Sequence, residues 1–311
     1  MNNLARLVVI LGPTASGKSA LAITLAEQLG GEVLACDSTQ VYRHFDIGTG
    51  KVPAAEQRGI PHHLIDLVEP DEVFTAGDYR RRALDVLEDV RCRKKLPILT
   101  AGTGLYLRAL LEGLADAPAR SEELRERLRE KVRLHGPAHL HRILARMDKE
   151  AAARIAPRDT QKVIRAIEIR TLAGKSVGEI HRGGRSGLQG YVVEKIGLMP
   201  GRAALYSRID ARVESMIQSG WIAEVRCLLA GGVPPSAKPF QFIGYSELRG
   251  CIEAGRPAQD AIEKVQQATR QFAKRQITWF RKEPGVHWLS GFGDDPEVEA
   301  AAQGIATGPL T

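Results

Sequence analysis

Strand-like and helix-like runs alternate along the first third of the chain. Residues 7–11 form an apolar, β-branched run that predicts a buried strand, and residues 20–29 follow with apolar side chains at helical spacing. Two further strand-like runs cover residues 32–36 and 96–100, and a helical pattern over residues 77–93 lies between them. Strands that alternate with helices in this way predict an α/β fold, in which helices cover both faces of a parallel sheet.

The pattern changes after a junction at Ala117-Pro118-Ala119. Charged amphipathic helices follow the junction, and a strand pattern returns over residues 191–198. We therefore predict two domains. A helical insertion domain spans residues 120–188, and an α/β core is built from residues 1–119 and 189–311.

Composition is that of an ordinary soluble protein with one bias, a positive charge. Of the 311 residues, 43% are hydrophobic and 26% are charged, and the net charge is +7. This charge favours an anionic partner, but it does not separate nucleic acid from a small phosphorylated ligand. The four cysteines are scattered singly, which is typical of reduced thiols, and no apolar run is long enough for a membrane span. We therefore expect a cytoplasmic protein without membrane association.

The loop after the first predicted strand matches the phosphate-loop pattern G-x-x-x-x-G-K-[ST]. Its residues are Gly12, Pro13, Thr14, Ala15, Ser16, Gly17, Lys18 and Ser19. Between a strand and a helix, the backbone N–H groups of such a loop and the helix dipole bind a diphosphate, whereas a tight turn that merely contains glycine needs no such context. Lys18 would add a positive charge, and the Ser19 hydroxyl is a candidate Mg²⁺ ligand. The sheet is therefore predicted to be of the P-loop type.

Polar residues also follow the second and third predicted strands. Asp37 ends the second strand, and Thr103 lies in the loop after the third. Since the carboxyl ends of parallel strands lie at one edge of the sheet, we expect both residues to share a site with the phosphate loop. Asp37 would hold Mg²⁺ in a nucleoside triphosphatase, would act as general base in a transferase, or would cap the turn with Ser38. The adjacent His62 and His63 are expected to pack or cap rather than to bind a metal.

The last predicted helix, over residues 258–282, ends in a basic segment. Its cations form either a solvated face or a surface for a phosphate backbone, and they are Arg270, Lys274, Arg275, Arg281 and Lys282. At this point two functions besides a transferase stay open. A P-loop kinase would use the helical insertion as a lid. A non-catalytic RNA-binding protein would use the basic surface but would give Asp37 no role.

Several motifs together resemble the tRNA dimethylallyltransferase (tRNA isopentenyltransferase) family. They run in order along almost the whole chain, and they are the phosphate loop, residues 37–43 and 46–49, residues 61–66, residues 102–106, Ile243-Gly244-Tyr245 and residues 268–276. The block over residues 37–49 is the most specific of them. Departures from the family pattern are small: His44-Phe45, Gly50 in place of Ala, and Ala101 in place of Gly. No zinc-finger extension is present, so we expect the bacterial form.

The resemblance implies a reaction and a set of roles. A dimethylallyl group would pass from dimethylallyl diphosphate to the exocyclic N6 amine of the adenosine 3′-adjacent to the anticodon, in tRNAs that read U-initial codons. The products would be N6-dimethylallyladenosine and pyrophosphate. By resemblance, the phosphate loop and Arg226 bind this diphosphate rather than ATP, with Mg²⁺ at Ser19. Asp37 would be the general base, and Thr103 would position the reacting atoms.

The resemblance also implies tRNA contacts in both predicted domains. The candidates in the core are Asp37, Ser38, Thr39, Gln40, Thr103, Gln241, Phe242, Ile243, Gly244, Tyr245 and Ser246. Those in the insertion are Arg125, Gln161, Lys162, Val163, Ile164 and Arg165, although residues 161–165 also suit a plain first turn of a helix. Single-stranded loops suit such recognition because their bases can be flipped out and read. The expected partner is the tRNA anticodon stem-loop, bound by a monomer.

Overall fold

The computed structural model describes residues 4–309, which fall into two compact units. The core unit comprises the chain up to Leu110 and again from Gln189, and the helical unit comprises Leu111–Leu188. The helical unit therefore begins at Leu111, whereas the sequence pattern placed its start at residue 120. None of the described helices is both long enough and apolar enough to cross a membrane.

A six-stranded parallel sheet lies at the centre of the core unit. Its strands are β1 (Ala5–Leu11), β2 (Gly31–Cys36), β3 (His62–His63), β4 (Leu96–Ala101), β5 (Tyr191–Leu198) and β6 (Val286–Leu289), and their order across the sheet is β3-β2-β4-β1-β5-β6. Strand β1 is central because Val9 pairs with Leu99 of β4 on one side and with Lys195 of β5 on the other. This sheet confirms the predicted α/β fold.

Helices of the core unit pack against the sheet or against one another. They are α1 (Lys18–Leu29), α2 (Ala76–Cys92), α3 (Gly104–Leu111), α9 (Arg202–Gln218), α10 (Trp221–Ala230), α11 (Tyr245–Glu253), α12 (Gln259–Phe280) and α13 (Pro296–Thr307). Helices α1 and α13 pack on the face that carries Val8 and Ile10. Leu7 and Val9, which point to the opposite face, are fully buried as well. Both faces are therefore covered, as the apolar strands require.

Five helices form the helical unit, which has an apolar cluster of its own. They are α4 (Glu122–His135), α5 (Pro137–Met147), α6 (Lys149–Arg154), α7 (Thr160–Ala173) and α8 (Val177–Arg182). The cluster includes Leu128, Leu140, Leu144, Val163, Ile164 and Ile167. The Asp159 side chain caps α7 by accepting the Lys162 backbone N–H, and Gly174, with φ 68°, ends it. Both ends of α7 agree with the sequence pattern.

Two elements near the end of the chain are not among those predicted from sequence. Strand β6 has four residues and pairs with β5 at the edge of the sheet. Helix α13 buries a narrow stripe of mostly small residues, Val298, Ala302 and Ala306, against the main cluster. A strand this short and a stripe this small give only a weak periodic signal.

Candidate active site

The phosphate loop lies between the end of β1 and the start of α1. Gly17, with φ 87°, is the residue before α1, and a side chain there would collide with the backbone of Gly293. The Lys18 ammonium donates hydrogen bonds to the carbonyl oxygens of Gly12 at 2.9 Å and Pro13 at 2.8 Å. Burial lowers the pKa of Lys18 to about 8, although the negative charge of Asp37 opposes the shift. A buried cation of this kind gains stability when an anion binds beside it.

Asp37 follows β2 and uses its two carboxylate oxygens differently. The backbone N–H and the hydroxyl of Thr39 both donate to Oδ1, at 2.9 and 2.7 Å. The other oxygen, Oδ2, lies against Gly102, so closely that a Cβ at that position would overlap it. Asp37 therefore caps its own turn with one oxygen and places the other at the loop that follows β4.

Thr103 joins the loops that follow β2 and β4. Its hydroxyl accepts the Ser38 backbone N–H at 3.0 Å and lies 3.2 Å from the Ser38 hydroxyl. The backbone N–H groups of Gly102 and Thr103 both donate to the Cys36 carbonyl, at 3.1 and 3.0 Å. Burial raises the pKa of the Cys36 thiol to about 12, so this thiol is not a nucleophile at neutral pH. The loops expected to converge are thus hydrogen-bonded to each other.

Gln276 of α12 connects the phosphate loop to the loop after β4. Its Oε1 accepts the Thr14 backbone N–H at 2.7 Å, and its Nε2 donates to the Gly102 carbonyl at 2.8 Å. The side chain is buried. Sequence reasoning did not select Gln276 as a site residue. The available signal was an uncharged polar residue on the buried side of a basic helix.

Arg212 of α9 is the arginine whose charge acts on Lys18 and Asp37. Burial and the charge of Arg208 lower the pKa of Arg212, while Asp37 raises it, and Arg212 in turn lowers the pKa of Lys18. The Arg212 guanidinium also lies against Gly50, where a side chain would overlap it. Sequence reasoning selected Arg226 for a second diphosphate contact, but Arg226 lies exposed on α10. A role for Arg226 stays a prediction, and Arg212 joins the candidate site.

A segment before α13 braces the outer side of the phosphate loop. The Gly293 backbone N–H donates to the Ser16 carbonyl at 2.9 Å. The Asp294 carboxylate accepts two hydrogen bonds of 2.8 Å from the Arg208 guanidinium, which also lies over the Phe292 ring. These contacts hold the phosphate loop, α9 and the segment 292–294 together in the core unit.

The segment 241–246 divides between buried and exposed positions. The Tyr245 side chain is fully buried, donates to Glu224 at 2.6 Å and accepts the Gly48 backbone N–H at 3.1 Å. Gly244 lies against the ring of Trp221. Gln241 is exposed, whereas Phe242, Ile243 and Ser246 are partly buried. The side chain of Tyr245 and the backbone of Gly244 are thus committed to packing, and the tRNA contacts of this segment stay predictions.

The segment 37–40 follows β2 at the edge of the sheet that carries the candidate site. Gln40 supports the loop of Thr49 and Gly50, which lies against Arg212. Its Nε2 donates to the carbonyl oxygens of Thr49 at 3.3 Å and Gly50 at 3.2 Å. Ser38 and Thr39 hold Thr103 and Asp37 as described above. All four residues of the segment are partly exposed, so they stay candidates for tRNA contact.

The residues of the helical unit that are predicted to contact tRNA differ in how exposed their side chains are. Arg125 and Arg165 both bind the buried Glu168 carboxylate, Arg125 through two hydrogen bonds of 2.8 and 2.7 Å. Val163 and Ile164 are buried in the cluster of the unit, so their side chains do not lie at its surface, and their contact with tRNA stays a prediction. The exposed members of the set are Gln161 and Lys162.

Helix α12 presents a basic surface. Lys274, Arg275, Arg281 and Lys282 are exposed on it or just after it. Arg270, which the sequence grouped with them, forms an ion pair with Asp210 of α9. We call the four exposed cations the α12 basic surface.

Residues 4–309 contain no group of three or more His, Cys, Asp or Glu side chains that could hold a metal ion. His63 instead contacts the buried Glu32 at 2.7 Å, and the His62 ring contacts the Ile60 carbonyl. Ser19, partly exposed in the first turn of α1, fits a Mg²⁺ that takes most of its ligands from a diphosphate, since Mg²⁺ rarely needs an all-protein cage.

Comparisons with known proteins agree with this architecture. A family model described as IPP transferase matches residues 40–283. The chain is 49% identical to the tRNA dimethylallyltransferase of Solibacter usitatus (strain Ellin6076), over 95% of this chain and 96% of that protein. It is also 49% identical to the tRNA dimethylallyltransferase of Koribacter versatilis (strain Ellin345), over 96% and 97% of the two chains.

Solved structures give the same result. The full-length tRNA isopentenylpyrophosphate transferase of Bacillus halodurans is 36% identical with a TM-score of 0.69, and the match covers 97% of this chain and 96% of that one. A eukaryotic dimethylallyltransferase, solved acting on tRNA, is 27% identical with a TM-score of 0.83, and the match covers 99% and 81%. The chain therefore belongs to the IPP transferase family, the family of the tRNA dimethylallyltransferases.

Proposed function

We propose that this protein transfers the dimethylallyl group of dimethylallyl diphosphate to the N6 amine of the adenosine 3′-adjacent to the anticodon. The substrates are tRNAs that read U-initial codons, and the products are N6-dimethylallyladenosine and pyrophosphate. One observation supports this reaction most directly. A carboxylate, Asp37, and a phosphate loop lie at the same edge of the sheet and are linked through Gly102 and Gln276.

The phosphate loop binds the diphosphate of the prenyl donor in this proposal. Backbone N–H groups at the start of α1, Lys18 and Arg212 provide positive potential for an anion. Mg²⁺, held by Ser19 and by diphosphate oxygens, supplies further positive charge when it is bound. Because the bond from the allylic carbon to the diphosphate oxygen breaks as the carbon–nitrogen bond forms, this potential stabilises the charge that develops on pyrophosphate.

Asp37 removes the proton that the amine must lose. The exocyclic amine of adenine is a weak nucleophile, so proton removal and orientation both contribute to the rate. Thr39 fixes the carboxylate through Oδ1, and Oδ2 is the oxygen directed at the loop of Gly102 and Thr103. The proton passes to Asp37, and Thr103, itself oriented by Ser38, positions the amine.

The tRNA binds through its anticodon stem-loop in this proposal. The target adenosine must leave its stack, at a cost of a few kcal/mol. The exposed residues among the candidate set, such as Gln161 and Lys162 in the helical unit, and the α12 basic surface in the core unit provide contacts to the loop and its phosphates. We further propose that the protein acts as a cytoplasmic monomer.

The reaction is tested by incubation with dimethylallyl diphosphate, Mg²⁺ and unmodified tRNA, followed by mass spectrometry of the nucleosides. We expect a dimethylallyl mass gain on adenosine, which is lost when the anticodon loop lacks adenosine. Absence of this gain, together with phosphoryl transfer from ATP to a metabolite, would instead identify a kinase.

The role of Asp37 is tested with Asp37→Asn. We expect kcat for prenyl transfer to fall by about 10² to 10⁴, the usual contribution of a general base, while the Kd for tRNA stays near that of the wild type. Asp71→Asn is the matched control because Asp71 is an exposed aspartate. A wild-type rate in Asp37→Asn would remove Asp37 as the base.

A further inference from the structure

Trp279 lies one helical turn beyond Gln276 on α12 and beside the candidate active site. Residues three apart on a helix share a face, and here Gln276 contacts Gly102 while the Trp279 indole lies on Gly104. A side chain at Gly104 would overlap the indole, so the ring rests directly on the backbone next to Thr103. The indole therefore borders the residue that we propose positions the amine.

Trp279 is also partly accessible to solvent. It is 38% exposed, and Leu105, the residue after Gly104, is 51% exposed. The Arg108 guanidinium lies over the indole, 5.0 Å from the ring centroid. Lys274 and Arg275 are exposed on the same helix, and the other cations of the α12 basic surface are exposed just after it.

An exposed aromatic ring among cations is the arrangement that binds single-stranded nucleic acid. Bases stack on the ring, and the cations attract the phosphates. A flipped adenosine leaves the neighbouring base of its loop without one stacking partner. The indole beside Thr103 offers that base a replacement surface. A different explanation, in which Trp279 only covers Gly104, accounts for the contact but not for the exposed part of the ring.

We propose that the Trp279 indole is the stacking surface for a base adjacent to the target adenosine in the anticodon loop. This inference rests on the proposed function, because it takes the adenosine to enter the site at Asp37 and Thr103. Trp279 would be a positioning residue. It would stabilise the tRNA loop in its open conformation and would not touch the reacting atoms.

Kinetic measurements on Trp279→Ala and Trp279→Phe test the proposal. Loss of the ring on which one base stacks weakens binding at least about fivefold. We therefore expect KM and Kd for tRNA to rise by that factor or more in Trp279→Ala. Trp279→Phe keeps a stacking ring and should stay close to the wild type. KM for dimethylallyl diphosphate should not change in either variant. Trp288→Ala is the matched control, because Trp288 is 37% exposed, also lies on a glycine, Gly197, and sits on β6.

Fluorescence of an anticodon stem-loop separates stacking from packing. 2-Aminopurine replaces the base on the 5′ side of the target in one oligonucleotide and the base on the 3′ side in another. We expect one of the two probes to be quenched in the wild-type complex and brighter in the Trp279→Ala complex. Equal emission in both complexes for both probes, or a parallel loss of affinity for tRNA and dimethylallyl diphosphate, would overturn the proposal in favour of packing. If the wild type binds the stem-loop but transfers no prenyl group, the proposed function fails, and the Kd comparison still decides the role of Trp279.

Discussion

Gln276 accepts the Thr14 backbone N–H at 2.7 Å and thereby fixes the phosphate loop to helix α12, although 262 positions separate the two residues in the chain. The same side chain donates to the Gly102 carbonyl at 2.8 Å. One buried side chain thus needs both an acceptor and a donor, and a neutral amide supplies both. The relative position of the diphosphate site and the Asp37 loop depends on this amide.

Replacement of Gln276 should therefore impair catalysis as well as stability. Gln276→Ala leaves the buried Gly102 carbonyl and the partly buried Thr14 N–H without these partners, and each loss costs up to about 3 kcal/mol. We expect kcat/KM to fall at least about tenfold because small displacements of reacting groups are costly. Gln276→Glu loses the N–H donor to the Gly102 carbonyl and should be no more active than Gln276→Ala. Steady-state rates and thermal unfolding check both variants, with Gln271→Ala, an exposed glutamine of the same helix, as the control. Activity at the level of that control would contradict a positioning role.

Arg212 and Arg226 give a direct comparison of two candidate diphosphate contacts. Arg212 acts electrostatically on Lys18 and Asp37, whereas Arg226 is exposed on α10. We expect Arg212→Ala to lower kcat/KM for dimethylallyl diphosphate about a hundredfold, as loss of a group that stabilises developing charge does. Arg226→Ala should change it about twofold or less, as is usual for a surface substitution. Initial rates at saturating tRNA measure both, and the reverse result would place the diphosphate next to α10.

Lys18 should make diphosphate binding depend on pH. Burial lowers its pKa to about 8 in the free protein, and phosphate oxygens favour the charged ammonium. Above pH 8 the site must therefore take up a proton to bind, so the Kd for dimethylallyl diphosphate should rise with pH. Titration calorimetry in buffers of different ionisation enthalpy counts this proton. Lys18→Arg stays charged and should take up fewer protons. Equal proton uptake in both proteins would assign the titration to another group.

The lowered pKa of Lys18 should make the protein more stable at high pH, whereas it makes diphosphate binding weaker there. Between about 8 and the ordinary value of 10.5, the unfolded chain binds more protons at Lys18 than the folded protein does. The free energy of unfolding of the ligand-free protein should therefore rise with pH across this window. Lys18→Met should lack this part of the pH dependence. Denaturant titrations at the two ends of the window measure the difference.

The parts of the site that are local in sequence could be predicted, and the long-range parts could not. Asp37 and Thr103 each follow a strand, and the parallel order of the strands brings their loops together. Gln276 and Arg212 are different, because helical periodicity shows which side of α9 or α12 is buried but not which buried residue reaches the phosphate loop. Arg226 was selected by the resemblance to the family, and its role stays a prediction.

The sequence pattern also did not predict the elements near the end of the chain, β6 and α13. Strand β6 has two exposed residues between two partly buried ones, so it lacks a strand's alternation, and its place in the sheet depends on pairing with β5. Helix α13 buries alanines, which contribute little to a periodic pattern. Yet the segment between them provides Asp294, which binds Arg208, and Gly293, which contacts the phosphate loop. Weak sequence signals can thus come from segments that support a site.

Glu168 should stabilise the helical unit in a pH-dependent way. Burial alone would raise the pKa of Glu168, but hydrogen bonds from Arg125 and Arg165 hold this pKa at about 2. A carboxyl with a lowered pKa stabilises the folded state above its ordinary value of 4.5, and this stabilisation is lost as pH falls toward 2. Glu168→Gln should cost about 3 kcal/mol near neutral pH because it leaves a buried guanidinium without its carboxylate.

Urea denaturation followed by circular dichroism measures this effect. The difference between the wild type and Glu168→Gln should shrink as the pH falls below 4.5. Glu130→Gln is the matched control, because Glu130 pairs with Arg133 on the exposed side of α4 and should change stability by about 1 kcal/mol or less. A constant difference across the acidic range would show that the effect of Glu168 is steric.

The α12 basic surface should contribute contacts with the phosphates of tRNA. Each phosphate that a protein neutralises releases counterions, so affinity falls with salt in proportion to the number of such contacts. We expect the double reversal of Lys274 and Arg275 to Glu to weaken tRNA binding and to reduce the slope of log K against log salt by about 1 to 2. Binding isotherms at several salt concentrations provide the slope.

The control must separate contact from general attraction. Reversal of Lys94 and Lys95, two exposed lysines just before β4, changes the net charge of the protein by the same amount. They lie at the amino end of the strand, whereas Thr103 and the phosphate loop follow the carboxyl ends. We expect this second variant to keep the wild-type slope, since overall charge affects encounter more than bound-state contacts. An equal reduction of the salt slope in both variants would mean that the α12 cations attract tRNA only from a distance. An unchanged slope in the first variant would mean that they are solvated in the complex.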